Sequence, residues 1–422
     1  MTIPSVRGMK DILPPVSARW AALEAAFRDR ALRFGFSEIR TPVLEKTELF
    51  ARSVGETTDI VEKEMYTFLD RSGESLTMRP EGTAPVVRAL QANRGTFSEW
   101  PVRLFYTGPM FRHERPQKGR LRQFHQFGAE LFGTDSPFAD AEMITFLHGF
   151  LEETGLRGIS LEINSLGDPG CRPAYHGKLS AFLSSREERL CEDCRRRRAQ
   201  NPLRVLDCKS EGCLRATADA PSVLESLCGP CREHFGAVEG ALRASGISFT
   251  RNPRMVRGLD YYRRTTFEFV IPGMGAQNAV AAGGRYDGLA EMLGGRERIP
   301  AIGFALGVER VLMLLGEGGS PVPATEVFLV TSGSRFLSEA FRWKLELIGR
   351  GIRAEMDYEG RSVKSQFRRA DRAGARFVVV FGESEAERGA VVFRDMAAGA
   401  QEELPKEEAI RRLNRLGDEK GE

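Results

Sequence analysis

Phe111, Arg112, His113 and Glu114 stand in a row, and a polar, basic, glycine-containing stretch follows as far as Arg122. Beyond it the chain alternates, so that Phe124, Gln126, Gly128 and Glu130 fall on one face of an expected strand. A ring, an amide, a glycine and a carboxylate make a poor packed core, because a buried carboxylate without a partner is costly. The same set makes a fitting floor for a polar ligand. The arginines before it can close over phosphates or a nucleic-acid end, since guanidinium groups fork onto phosphate oxygens.

Three other stretches carry chemistry-bearing residues. In Ala301-Ile302-Gly303-Phe304-Ala305-Leu306-Gly307 the small residues share one face and the large ones the other. Such a face either packs tightly against a helix or admits something flat. Glu309-Arg310, opening the next helix, favours the second reading, because the arginine can reach over the strand to a base or phosphate. Arg257-Gly258-Leu259-Asp260-Tyr261-Tyr262, with Gly283-Gly284-Arg285-Tyr286-Asp287 after it, reads as tyrosines at a glycine turn. Their hydroxyls and flat faces suit a polar ring, although paired tyrosines also serve as core. Arg79-Pro80-Glu81-Gly82-Thr83 sets a carboxylate and a hydroxyl two residues apart, enough for an ammonium group or simply a turn.

These residues need elements to hold them. Trp20, Leu23, Phe27, Ala31 and Phe34 recur at helical spacing, so a helix is expected from 17 to 34, with Ser17 as its cap and Gly35 past its end. The chain at 36–45 reads as extended because Pro42 forbids a helix interior. Strands are expected at 66–69, 76–78, 102–106, 126–132, 161–164, 265–271 and 301–305, and helices at 139–151 and 308–315. Strands and helices that do not alternate regularly point to an α+β domain on a mostly antiparallel sheet. Residues 166 to about 235 carry paired cysteines and the run Arg195–Arg198 with little strand pattern, as in a helical insertion. The glycine- and proline-rich stretch 316–324 reads as a linker. After it a strand (327–330), two helices (336–349 and 362–373), a strand (377–381) and a final helix suggest a small C-terminal α/β domain. The expected division is therefore 1–320, a linker at 321–325, and 326–422.

At 422 residues with 41% apolar residues, the chain can build such domains. No apolar leader opens it, and runs such as 377–381 are far too short for a bilayer, so a soluble, cytoplasmic protein without a membrane partner is expected. A net charge of +3 is too mild to argue for a chromatin-like or membrane-coating surface. Basic residues are instead concentrated in two places: five against one acidic between Arg112 and Arg122, and six against one between Arg361 and Arg376. One partner touching distant places, or two solvated faces, accounts for this equally. Seven cysteines without a secretory signal argue for reduced thiols or a metal. Six form Cys191-x2-Cys194, Cys208-x4-Cys213 and Cys228-x2-Cys231, with Cys171 alone. That spacing suits a structural zinc, though six thiols exceed the four one ion needs, and small residues incidental to the insertion are the other reading.

In order, these stretches resemble the signature of the histidyl-tRNA synthetases, class II aminoacyl-tRNA synthetases of bacterial type. Thr41-Pro42 resembles motif 1, Phe111–Glu114 with its loop and strand motif 2, and Gly303–Arg310 motif 3. Arg257–Tyr262 and Gly283–Leu289 resemble the histidine-specific sequences, and 7–14 and 78–89 extend the likeness over nearly the whole chain. The resemblance implies a ligase that activates L-histidine with ATP and transfers it to the 3' end of tRNA(His).

On matching positions, Glu81, Thr83 and Gln126, with Gly82, would bind the histidine ammonium group. Glu130 and Tyr262 would meet the two ring nitrogens, and Tyr261 would wall the pocket. Arg112 and Arg257 are the implied catalytic residues, bridging or pressing on the substrate carboxylate and the ATP α-phosphate. Arg112, Glu114, Phe124 and Arg310 would hold ATP, with adenine between Phe124 and Arg310. The resemblance also implies Mg2+, a homodimer built through motif 1, an anticodon-binding C-terminal domain and no metal ligand in the site. The alternative is a catalytically silent, synthetase-like regulatory subunit of ATP phosphoribosyltransferase in histidine biosynthesis. Such subunits lack the C-terminal domain and lose the arginines that this sequence keeps.

Overall fold

A computed structural model describes residues 3–55, 58, 60–117, 119–271, 279–316 and 325–418. The chain divides into two compact units, Met1–Gly319 and Ser320–Glu422. The expected linker lies outside the described residues except for Gly316 and Thr325.

The first unit opens with helix α1 (Val16–Arg33), which buries Trp20, Leu23, Phe27 and Ala31. Ser17 does not cap it. Pro15 occupies the N-cap, and its ring-fixed φ starts the helix before Ser17 is reached. Short strands β1 (Ser37–Glu38) and β2 (Leu44–Lys46) lead to α2 (Thr47–Val54), and β3 (Tyr66–Leu69) and β4 (Ser75–Met78) lead to α3 (Thr83–Ala92). Then come β5 (Val102–Phe111), β6 (Gln123–Phe132), α4 (Pro137–Glu153) and β7 (Ser160–Ser165). Among the described residues only helical elements fill the next stretch: α5 (Arg172–Ser184), α6 (Glu192–Gln200), α7 (Glu211–Ala216) and α8 (Gly229–Ala244), with short 3-10 turns between them. The unit closes with β8 (Thr250–Arg251), β9 (Arg263–Val270), β10 (Ala279–Arg285), α9 (Leu289–Met292), β11 (Ala301–Gly307) and α10 (Val308–Leu314).

Eight strands form the main sheet in the order β1-β5-β6-β11-β10-β9-β7-β8, antiparallel except for the pairs β1–β5 and β7–β8 at its two edges. Strands β2, β4 and β3 make a small separate antiparallel sheet. One face of the main sheet is apolar. Phe127, Ala129 and Leu131 of β6, Ile302, Phe304 and Leu306 of β11 and Phe267 and Phe269 of β9 bury under α1, α4 and α8. Phe27 of α1 stacks on Phe127 with ring centroids 4.9 Å apart. The period of two thus sends Gln126, Gly128 and Glu130, with Gly303, Ala305 and Gly307, to the opposite face.

Two sequence expectations change here. Strand β5 continues five residues past Tyr106 through Gly108-Pro109, where Pro109 sits opposite His125 in the β5–β6 ladder. Gly283-Gly284-Arg285, which no expected element covers, is the end of the strand β10, paired with Phe304, Gly303 and Ile302 of β11. A Cβ at Gly283 would run into the carbonyl oxygen of Gly303 and the ring of Phe267, so glycine there permits close strand approach rather than a chain reversal.

The second unit contains β12 (Val327–Thr331), α11 (Leu337–Gly349), β13 (Ala354–Met356), α12 (Val363–Arg372), β14 (Phe377–Phe381), α13 (Glu383–Ala386), β15 (Ala390–Asp395), β16 (Gln401–Pro405) and α14 (Lys406–Asp418). Its sheet runs β13-β12-β14-β15-β16, with β12 parallel to β13 and β14 and the last two strands antiparallel. Val327, Leu329, Val379 and Phe381 bury on one face with Leu347 of α11, and Phe328, Val330 and Val378 on the other with Ala370 of α12. Alternate residues buried on both sides explain why β12 and β14 read as continuous apolar runs.

Candidate active site

On the open face of the main sheet lies a cavity of ≈ 250 Å³. Its floor is β6 and β11, through Phe124, Gln126, Ala305 and Gly307. Arg112 leaves the end of β5, Arg310 stands in the first turn of α10, and Arg257 comes from the chain before β9, so three arginines on three elements reach one space.

Each is held. Arg112 donates Nε to the Pro80 carbonyl at 2.9 Å and lies 5.2 Å over the Phe124 ring. Arg310 donates to the Ala279 carbonyl at 2.5 Å and to that of Gly119 at 3.3 Å. Arg257 pairs with Glu268 of β9 and lies 5.6 Å over the Tyr262 ring. Burial opposes the charge of Arg257, but Glu268 and the neighbouring tyrosines outweigh it and hold its pKa above the usual value. Burial and the nearby Arg120 push Arg310 the other way. A set of pre-positioned cations with spare N–H groups is what an oligophosphate chain requires.

At the deeper end, Glu81 accepts the backbone N–H of Thr83 at 2.7 Å and of Ala84 at 2.8 Å, anchoring its carboxylate on the N-terminus of α3. Thr83 Oγ1 donates to Glu130 Oε1 at 2.7 Å, and the Tyr286 hydroxyl donates to Oε2 at 2.5 Å. Glu130 is fully buried, and burial lifts its pKa to about 8 against the lowering effect of the Tyr286 and Thr83 hydroxyls. Tyr261 Oη and Gln126 Oε1 are buried polar atoms with no hydrogen-bond partner among the described residues. Both residues line the cavity, so both wait for something polar.

Of the residues singled out in the sequence, Glu81, Thr83, Arg112, Glu114, Phe124, Gln126, Arg257, Tyr261, Tyr262 and Arg310 line this cavity together. Gly82 and Glu130 do not. A Cβ at Gly82 would meet the Tyr106 ring, and Glu130 lies behind Thr83. Sequence reasoning missed Tyr106 and Glu268, and it named Tyr286 without giving it the contact it makes with Glu130. The signal for Tyr106 is Gly128, directly opposite it in the β5–β6 ladder, where a Cβ would strike the ring. Arg285 is no ligand either. It is fully buried and bonds Asp140 of α4 and Asp287, while His234 of α8 meets the other oxygen of Asp140 at 2.8 Å. Cys171, which stood alone in the sequence, joins Cys228 and Cys231 in space.

A largely antiparallel sheet with a small-residue strand as floor and arginines from motif-like positions above it defines a class: the class II aminoacyl-tRNA synthetases. Comparison with known proteins narrows this. The chain belongs to the histidyl-tRNA synthetase family, whose model, "Histidyl-tRNA synthetase", matches residues 8–311, while "Anticodon binding domain" matches residues 326–416. It is 52% identical to a histidine--tRNA ligase of Trichlorobacter lovleyi over 97% of both chains. It is also 52% identical to one of Geobacter sulfurreducens, over 96% of this chain and 97% of the other. Apo histidyl-tRNA synthetase of S. aureus superposes with a TM-score of 0.83 at 34% identity, covering 98% of this chain and all of that one.

Proposed function

We infer that the chain is a histidine–tRNA ligase, joining L-histidine to the 3' end of tRNA(His) at the expense of ATP. The carrying observation is that Arg112, Arg257 and Arg310 meet the unpaired polar atoms of Gln126 and Tyr261 in one cavity. Cations for phosphate and acceptors for a polar amino acid thus stand side by side. The regulatory-subunit reading has no use for three well-held arginines, and near 50% identity over almost the full length lies with ligases.

In the mechanism that this geometry supports, the histidine ammonium group meets Glu81, Thr83 and Gln126. Its ring nitrogens are met by Tyr262 and, from behind Thr83, by Glu130, whose Oε1 accepts from Thr83 Oγ1 in the free protein. Phe124 and Arg310 flank the adenine. The histidine carboxylate oxygen attacks the α-phosphorus, the bond to the bridging oxygen breaks, and pyrophosphate leaves. Arg112 and Arg257 neutralise charge that grows on the pentacoordinate phosphorus. The terminal ribose hydroxyl of the tRNA then attacks the carbonyl of the adenylate, and AMP leaves.

Glu81, Glu114, Glu268 and Glu309 line the cavity with hard oxygen donors that would suit Mg2+ accompanying the phosphates. Glu114, paired with the half-exposed Arg120, is the carboxylate freest to hold it. When bound, Mg2+ offsets the charge of the leaving pyrophosphate. A structural zinc belongs with the cysteines of the insertion, not with this cavity.

The domain reading is a catalytic domain over 1–320 with the insertion at about 166–235, a linker at 321–325 and an anticodon-binding domain over 326–422. Exposed Leu44, Phe68 and Leu69 on the small sheet, with Val43 just before it, beside motif 1, support a homodimer through that surface. No described helix is long and apolar enough to cross a membrane, which accords with work in the cytoplasm. Histidine-dependent exchange of pyrophosphate into ATP, followed by charging of tRNA(His), is the deciding assay. Exchange that ignores histidine would overturn the reading.

A further inference from the structure

All seven cysteines lie between 171 and 231, and all are free thiols. The fold sorts them into two groups of four ligands with Asp168 as the eighth: Cys191, Cys194, Cys208 and Cys213, and Asp168, Cys171, Cys228 and Cys231. Within each group the ligand atoms all lie within 4.8 Å of one another. Helix starts bring this about. Cys191 caps α6 with Cys194 one turn inside it, and Cys228 caps α8 with Cys231 one turn inside that. Cys171 caps α5, three residues after Asp168, and Cys208 follows the 3-10 turn Pro202–Asp207, five residues before Cys213 in α7. Side chains at a cap and three residues on face the same way, so each pair offers two ligands to one point.

No disulfide joins these thiols. Cys191 and Cys208 have sulfurs 3.9 Å apart, and Cys171 and Cys231 3.8 Å. A disulfide needs about 2.05 Å. A tetrahedron with metal–sulfur bonds of about 2.3 Å has edges of about 3.8 Å. Packing as small hydrophobes does not account for the backbone either. The N–H of Asp168 points at Cys171 Sγ at 3.2 Å, that of Cys191 at Cys213 Sγ at 3.2 Å, and that of Ser210 at Cys208 Sγ at 3.5 Å. Amides aimed at sulfur orient and stabilise thiolates. Four ligands that close together enclose a single ion, and a closed set of thiolates, completed in one group by a carboxylate and leaving no open position, suits structural zinc.

We propose that the insertion carries two structural zinc sites, one of four cysteines at Cys191, Cys194, Cys208 and Cys213 and one of three cysteines and an aspartate at Asp168, Cys171, Cys228 and Cys231. The first joins α6, the 3-10 turn and α7. The second joins the chain after β7 to the start of α8. Between them the insertion grips the stretch 257–262: Arg204 donates to the Gly258 carbonyl at 2.8 Å and to Asp260 at 3.0 Å, and Arg172 donates to the Tyr262 carbonyl. The sites therefore hold the elements behind Arg257 and Tyr262 and take no part in the reaction.

The test is elemental analysis of the full-length protein after exposure to zinc and gel filtration, with X-ray absorption at the zinc edge. Two zinc ions per chain are expected, with a mean shell of about 3.5 sulfur and about 0.5 oxygen atoms per ion. Cys208→Ser and Cys231→Ser should each remove one ion and leave the other. Fewer than two ions in the wild-type protein, a shell poor in sulfur, or iron in place of zinc would overturn the proposal. Because the wild-type stoichiometry and spectrum decide, a variant that fails to fold leaves the test intact.

Discussion

Glu130 shows what burial does to a carboxyl group asked to bind. With its pKa at about 8 it is largely protonated in the free protein at neutral pH, and two hydroxyls donate to it. The native state thus holds a proton that the unfolded chain, with an ordinary glutamate pKa, releases. That contribution is fully present below about pH 4.5, fades as pH rises, and is gone above pH 8. The stability of the wild type relative to Glu130→Gln should therefore fall with pH across this window, on the order of 1 kcal/mol per pH unit. Denaturant titrations of both proteins at pH 5 to 8.5 measure it, and parallel curves would mean that Glu130 is not protonated. Glu130→Ala should abolish histidine-dependent pyrophosphate exchange, since a site built to hydrogen-bond a ring discriminates through such partners. Arg257 belongs to a different step. Its charge is already balanced by Glu268 in the resting site, so its added value comes as negative charge grows on phosphorus. Arg257→Ala should lower kcat for adenylate formation on the order of 100-fold while changing the KM for histidine little. Equal effects on both would place the residue in ground-state binding instead.

At the level of elements, the site depends on where glycine lets two strands and a side chain share space. Gly303 of β11 lies opposite Glu130 of β6, and a Cβ there would collide with Glu130 Oε2 and come 2.9 Å from the Ala129 carbonyl oxygen. Gly303→Ala should cost about 1–3 kcal/mol of stability and weaken histidine binding together, because the collision displaces the carboxyl group itself. Thermal unfolding and exchange kinetics check this, and an unperturbed variant would show that the strands give way. The small-residue face of β11 was legible in the sequence, since period two is a property of the strand alone. Its partner was not. Register between β6 and β11 is set by core packing of Phe127, Phe304 and their neighbours under α1 and α4, which the sequence does not spell out. For the same reason Gly283 and Gly284 did not read as a strand, and only β11 beside them shows that they are one.

Across the whole molecule, the candidate active site lies within the first unit, whereas the match to "Anticodon binding domain" falls in the second. Helix α12 buries Gln366 and Ala370 against its own sheet and leaves Lys364, Arg368 and Arg372 exposed at four-residue spacing along one face. An anticodon-binding domain would use such a stripe for phosphates. Replacing all three with alanine should raise the KM for tRNA(His) and flatten its dependence on salt, by about one unit of slope for each phosphate no longer neutralised. Pyrophosphate exchange should be unchanged. A fall in exchange would instead show that the second unit acts on the chemistry.

Local features of this chain were readable without its fold. The 3.6-residue pattern of α1, the alternation of β6 and β11 and the continuous apolar strands of the second unit follow from periodicity, the helical insertion from paired cysteines and little strand pattern, and the gathering of ten cavity residues into one site from the family resemblance of their short motifs. What the tertiary structure alone decided were matters of juxtaposition. It placed Glu130 behind Thr83 rather than on the cavity wall, made Arg285 a buried bridge to Asp140, drew Tyr106 and Tyr286 into the site, and sorted six paired cysteines and an odd one into two groups of four with Asp168. Each joins residues from 17 to 156 positions apart, and distances of that kind are fixed by strand register and helix packing, to which no local pattern gives access.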